Sequence, residues 1–280
     1  MPDQYKYDLY FLLGGACACT QILRYCQLQY ASYPFDWLMG ASITERARML
    51  ADGLNDMLHK DSMVLVEKNK RPTGTDYWRN ERNGLDFMHD FHQNKSLSEE
   101  FPGVVEKYKR RAARLIQQIS TSTRVLAVYA ERPCDKTELS NQELCEATQI
   151  LRNAFPGVGI DLLYLHCDES VLISDISETI AGKGITKMRF NYNMCNCYAP
   201  YEVNLPMAAC ALNRYTISER HLNEKNKGNR ISFIKSQPSA NNLIQRHKLG
   251  IKIARGIMEY SLYFRLSKIW HSILKKFYKN

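Results

Sequence analysis

Short apolar runs that alternate with amphipathic helical stretches predict an α/β protein. The expected architecture is a mostly parallel sheet with helices on both faces, a Rossmann-like three-layer arrangement, plus a C-terminal basic amphipathic helix. Two observations carry this expectation. Runs at residues 7–13, 125–129, 160–166 and 186–192 have the length and composition of buried strands, and helical patterns separate them. The chain also has 280 residues, 45% hydrophobic and 24% charged, which is the ordinary makeup of a globular protein with a generous core.

Taken in order, residues 7–13 read as the first strand and 20–29 as the helix that follows. Pro34 stops that helix inside Tyr33-Pro34-Phe35-Asp36-Trp37, where two large aromatics flank one carboxylate. Residues 44–58 are helical, with Ile43, Ala47, Leu50 and Leu54 along one stripe. Residues 63–67 read as a short strand, 68–83 as polar and irregular, and 85–91 as a strand ending in His89-Asp90-Phe91-His92. A basic helix over about 102–120 turns Val104, Val105, Tyr108, Ala112, Leu115 and Ile119 inward. Ser140 and Glu143 form a capping box that opens a helix reaching residue 154. Residues 219–242 are rich in Asn, Lys, Ser and Gly, and a helix returns at 249 with Leu262, Leu266, Ile269, Ile273 and Phe277 on one face. The expected organisation is therefore a catalytic domain over 1–218, a polar mobile connector over 219–245, and a basic amphipathic tail helix over 246–280.

The net charge of +9 is concentrated at one end. From Arg246 onward nine Lys or Arg face a single Glu259, so the tail carries +8. The remainder is close to neutral and offers no basic face for nucleic acid, which is not an expected partner. Trp270, Phe277 and Tyr278 near the apolar side of the tail suit an anionic membrane surface. No run reaches the ~20 apolar residues of a membrane span. Nine cysteines, with no export signal, point to the cytoplasm, or to a peripheral place on the inner face of the membrane. P-loop, dinucleotide and zinc-protease signatures are absent.

The chemistry concentrates at Leu12-Leu13-Gly14-Gly15-Ala16-Cys17, where a strand gives way to a helix. A thiol in the first turn of a helix meets backbone N–H groups that favour its thiolate, a placement suited to a nucleophile. Gly15 and Ala16 would supply backbone donors to an oxyanion. His89 closes an apolar strand and would serve as the base if that strand neighbours the first; His92 is a weaker candidate. Asp36 and Asp90 are the carboxylates available to orient the imidazole, and Asp36 is preferred because Asp90 alternates to the other face of its strand. Lys107, Arg110, Arg111 and Arg114 form a cationic stripe: a solvated face, or a seat for the phosphates of coenzyme A. Cys17-x-Cys19 and Cys195-x-Cys197 are spaced too closely for structural zinc, and no metal is expected.

Four blocks together resemble a bacterial family of unknown function labelled papain-like cysteine peptidase. They are Leu13-Gly14-Gly15-Ala16-Cys17-Ala18-Cys19, Pro34-Phe35-Asp36-Trp37-Leu38, Phe87-Met88-His89-Asp90-Phe91 and Lys107-Tyr108-Lys109-Arg110-Arg111. The similarity covers about residues 5–192. The family's first block typically reads S-L-G-x-x-C, and Leu12 stands where Ser is common. The resemblance implies that Cys17 is the nucleophile and His89 its base, with Asp36 at or near the site. Cys before His agrees with papain-like chain order, while the C-G-S-C-W surroundings are missing. In layout the chain also resembles coenzyme-A-binding acetyltransferases of bacterial capsule synthesis, which likewise place a Cys after the first strand and a His downstream.

Three functions follow as expectations. A cysteine hydrolase acting through an acyl-thioester on a small acyl substrate would need no cofactor. An acyltransferase modifying a surface polysaccharide would take coenzyme A or acyl-coenzyme A and a glycan acceptor. A scaffold in glycan assembly would use neither.

Overall fold

The structure, a computed structural model, describes residues 5–15, 17–68, 74–131, 137–168, 170–171, 175–192, 205–218 and 220. Arg220 aside, the expected connector and the tail helix lie outside the described residues. The chain runs through β1 (Tyr5–Tyr7), β2 (Leu9–Gly15), α1 (Cys17–Tyr25), β3 (Leu38–Gly40) and α2 (Ile43–Ala51). A 3-10 turn (Lys60–Ser62) leads into β4 (Met63–Glu67), β5 (Thr75–Asn80), β6 (Leu85–His92) and α3 (Leu97–Ser120). Then come β7 (Arg124–Ala130), α4 (Asn141–Ala154), β8 (Gly159–Cys167), β9 (Ser177–Gly182), β10 (Ile185–Phe190), α5 (Leu205–Ala211) and β11 (Tyr215–Ile217).

A five-stranded mixed sheet in the order β2-β7-β8-β10-β9 forms the centre. Its first four strands are parallel and β9 closes one edge antiparallel. Side chains of β2 alternate between two cores, as the period of a strand requires. Leu9, Phe11 and Leu13 join Ala47 and Leu50 of α2, Leu115 and Ile119 of α3, and Leu144 and Leu151 of α4. Tyr10 and Leu12 join Ala18 and Ile22 of α1, Met207 of α5 and Leu212 just after it. Burial on both sides explains why β2 reads as a continuous apolar run, and each such side chain contributes about 1.5–3 kcal/mol by leaving water.

Two further sheets depart from the sequence-based expectation. β3, β6, β5 and β4 form a separate antiparallel sheet, and β1 pairs with β11. The strand carrying His89 is therefore not a neighbour of β2 in one ladder. The segment 68–83, expected to be irregular, holds β5, whose Thr75, Asp76 and Asn80 are buried polar residues. The helix expected over 44–58 stops at Ala51, because Gly53 and Leu54 turn to positive φ (72° and 63°) just beyond it. The helix expected from 102 begins at Leu97, opened by a Ser96–Glu99 capping box, with Pro102 inside it. Val105 is half-buried rather than fully inward. Among the described residues no helix is long and apolar enough to cross a membrane.

Candidate active site

Strand β2 ends in two glycines whose backbone no other residue would adopt without strain. Gly14 and Gly15 have φ of 103° and 90°, and the register with β7 shifts between Leu12 and Gly14. A Cβ on Gly15 would lie 2.1 Å from the carbonyl oxygen of Ala130, so the close approach of β7 also demands glycine. This turn delivers Cys17 as the first residue of α1. Ala16 lies outside the described residues.

Cys17 is 4% exposed and His89 is exposed. Their reactive atoms nonetheless meet: Cys17 Sγ is 3.7 Å from His89 Nε2 and 3.9 Å from the Trp37 carbonyl oxygen. Sequence spacing alone did not predict how they come together. β3 follows directly on Trp37, and β3 pairs with β6 at Leu38↔Phe87, which carries His89 across to the end of β2. Trp37 stands edge-on to the imidazole, with ring centroids 6.1 Å apart. Arg24 lies over the other ring system of this stack, 5.5 Å from the Trp37 centroid.

Cys19 is unlike Cys17. It is fully buried, its Sγ faces the Val128 carbonyl at 4.0 Å, and burial pushes its thiol well above the ordinary range. It stays a neutral packing group.

The two carboxylates accept hydrogen bonds from groups other than the imidazole. Asp36 is fully buried; both its oxygens accept from Gln29 Nε2 at 2.9 Å, and Oδ2 also accepts from the Tyr33 N–H at 2.9 Å and from Arg24 at 3.4 Å. Burial raises its carboxyl to about 6 against those bonds. Asp90 points to the opposite face of β6, where it accepts from Lys107 and from the Tyr108 hydroxyl (3.0 Å). His92 is held by Glu100, with Nδ1 to Oε1 at 2.6 Å.

Most of the cationic stripe on α3 is engaged within the fold. Lys107 pairs with Asp90, Arg111 lies over the Tyr108 ring at 5.5 Å, and Arg114 donates to the Ser32 carbonyl at 3.1 Å. Arg110 is exposed. Among the described residues no group of three or more His, Cys, Asp or Glu is placed to hold a metal ion, and Cys195 and Cys197 lie outside them.

Two residues around the site escaped the sequence reading. Trp37 was visible only as an aromatic beside Asp36. Arg46 carried a usable signal: it falls on the apolar stripe of α2 between Ile43 and Leu50, where a charge is out of place, and it is fully buried.

A thiol at a strand-to-helix turn with an imidazole in reach is an arrangement that can serve nucleophilic chemistry. The chain belongs to the family described as "Putative papain-like cysteine peptidase (DUF1796)", whose match runs over residues 8–198 and so spans both Cys17 and His89. No curated protein and no solved structure matches it.

Proposed function

We propose that the protein is a cysteine hydrolase that cleaves an amide or ester through a thioester on Cys17. The observation that carries this is the 3.7 Å approach of Cys17 Sγ to the Nε2 of an exposed His89. His89 takes the thiol proton, and the thiolate attacks the substrate carbonyl. The tetrahedral oxyanion forms beside the backbone N–H groups of the first turn of α1, donors of a kind worth ~3–4 kcal/mol each in other enzymes. Imidazolium returns the proton to the departing amine or alcohol, leaving the Cys17 thioester. Water then attacks with His89 as base, releasing the acid and restoring the thiol.

Asp36 acts on this pair through its neighbours in this reading. It holds Arg24, Arg24 lies over Trp37, and Trp37 fixes the plane of the His89 ring. Family membership supports the peptidase class, and the contacts of Lys107, Arg111 and Arg114 leave little of the stripe for a coenzyme.

The test is the pH dependence of iodoacetamide labelling at Cys17, followed by mass on its peptide. The expected midpoint lies well below the free-thiol value of about 8.5, and His89→Ala moves it upward. A p-nitrophenyl ester should acylate the wild type and leave Cys17→Ala unmodified at that peptide, with His89→Ala slowed about 10²–10⁴-fold. A free-thiol midpoint that His89→Ala leaves in place would refute the proposal.

A further inference from the structure

Arg46 is the buried group that the proposed chemistry leaves without a role. Its partners are all carbonyl oxygens: Nε donates to Gly40 (3.1 Å) and Ala41 (3.4 Å), one terminal nitrogen to Leu13 (3.0 Å), the other to Leu38 (3.1 Å) and Gly40 (2.6 Å). Its guanidinium also lies over the Phe35 ring at 5.3 Å. Among the described residues no carboxylate stands at ion-pair distance from it. A fully buried charge paired with no carboxylate is costly, and a leucine or methionine would fill an apolar helix stripe without that cost.

Apart from that of Ala41, the carbonyls it gathers come from two sheets that share no ladder. Leu13 belongs to the end of β2, just before the turn to Cys17. Leu38 and Gly40 belong to β3, which pairs with Phe87 and Leu85 of the strand that bears His89. The guanidinium also fills the space beside Gly14, where a Cβ would lie 1.8 Å from one of its nitrogens. We infer that Arg46 is a positioning residue for the Cys17–His89 pair: it fastens the strand end behind the thiol to the sheet that carries the imidazole.

Tyr129 of β7, Asp86 of β6, and Cys17 and Cys19 of α1 each favour the charged guanidinium against the burial that opposes it. Asp86 is itself tied to Arg79 at 2.7 Å, and Cys19 is held as a neutral thiol. The Cys17 Sγ meets His89 Nε2 of β6 and the Trp37 carbonyl.

This inference rests on Cys17 being the nucleophile. The experiment is the Cys17 labelling profile in wild type, Arg46→Gln and Arg46→Lys, with circular dichroism as the check on folding and ester turnover as the second readout. Both variants lose the fork that spans the two strands, and with it the seating of the imidazole against the thiol. Arg46→Gln should raise the midpoint by about one to two pH units toward the free-thiol value and lower kcat at least about tenfold, and Arg46→Lys should move both readouts the same way. A depressed wild-type midpoint that folded Arg46→Gln leaves unchanged overturns this inference alone. Should Arg46→Gln not fold, a midpoint and kcat in Arg46→Lys equal to wild type overturn it instead. A wild-type midpoint like that of a free thiol overturns the nucleophile reading and this inference with it.

Discussion

Asp36 has no contact with solvent, and the fold resists its charge. Burial outweighs the donors from Gln29, Tyr33 and Arg24, and its carboxyl is raised to about 6 from an ordinary value of 3.8. Because the folded value lies above the unfolded one, the protonated form stabilises the fold. That stabilisation is complete below about 3.8 and is lost as pH rises through about 6. Asp36→Asn has no such titration. Wild type should therefore gain on Asp36→Asn by about 2 kcal/mol as pH falls from 7 to 4. Urea unfolding at several pH values reads the difference, and parallel profiles would sink the argument. The sequence showed Asp36 as a carboxylate among aromatics, and its partners Gln29 and Arg24 lie within twelve positions of it. What it did not show was complete burial, which depends on the cores closing around residues 33–38.

At the scale of elements, the strand-to-helix turn was legible because its signal is local. An apolar run, two glycines and a helical pattern fix β2, the turn and α1 within some seventeen residues. The capping box of α4 was legible for the same reason. Strand β5 was not, because its polar residues are buried by distant packing rather than by its own pattern. The turn makes a clean prediction. Gly15 and Gly157 have nearly equal φ, 90° and 87°, yet a Cβ at Gly157 meets nothing within 4 Å while one at Gly15 collides with the Ala130 carbonyl. Gly157→Ala should cost only the backbone strain, about 1–2 kcal/mol. Gly15→Ala should cost at least about 2 kcal/mol more and should also lower Cys17 labelling, since β7 cannot yield without moving the thiol's turn. Equal unfolding midpoints for the two variants would remove the close approach as the reason for Gly15.

For the whole molecule, the site depends on two sheets keeping station without a shared ladder, and no local pattern encodes that. The sequence named both Cys17 and His89, but made their meeting conditional on neighbouring strands, and β2 and β6 lie in different sheets. The meeting is instead arranged by tertiary contacts whose partners lie tens of residues apart. One of these is the buried Asp90, which ties β6 to α3 through Lys107 and Tyr108, while α3 packs by Leu115 and Ile119 on the central core. Asp90 alternates with His89 along β6, so holding one side chain inward holds the other at the site. Lys107 is thus predicted to be a structural partner rather than a seat for a ligand phosphate. Lys107→Met strands a carboxylate that is 4% exposed, and should destabilise the protein by about 2–3 kcal/mol, less than a fully buried pair because Lys107 itself reaches solvent. Adding Asp90→Asn removes the stranded charge and should restore most of that loss, a coupling of about 1–2 kcal/mol in a double-mutant cycle. The ester turnover of Lys107→Met should fall with its stability and recover in the double variant, because both follow the seating of β6. Additive losses, or a Lys107→Met protein as stable as wild type, would show that the pairing does not hold the imidazole's sheet in place.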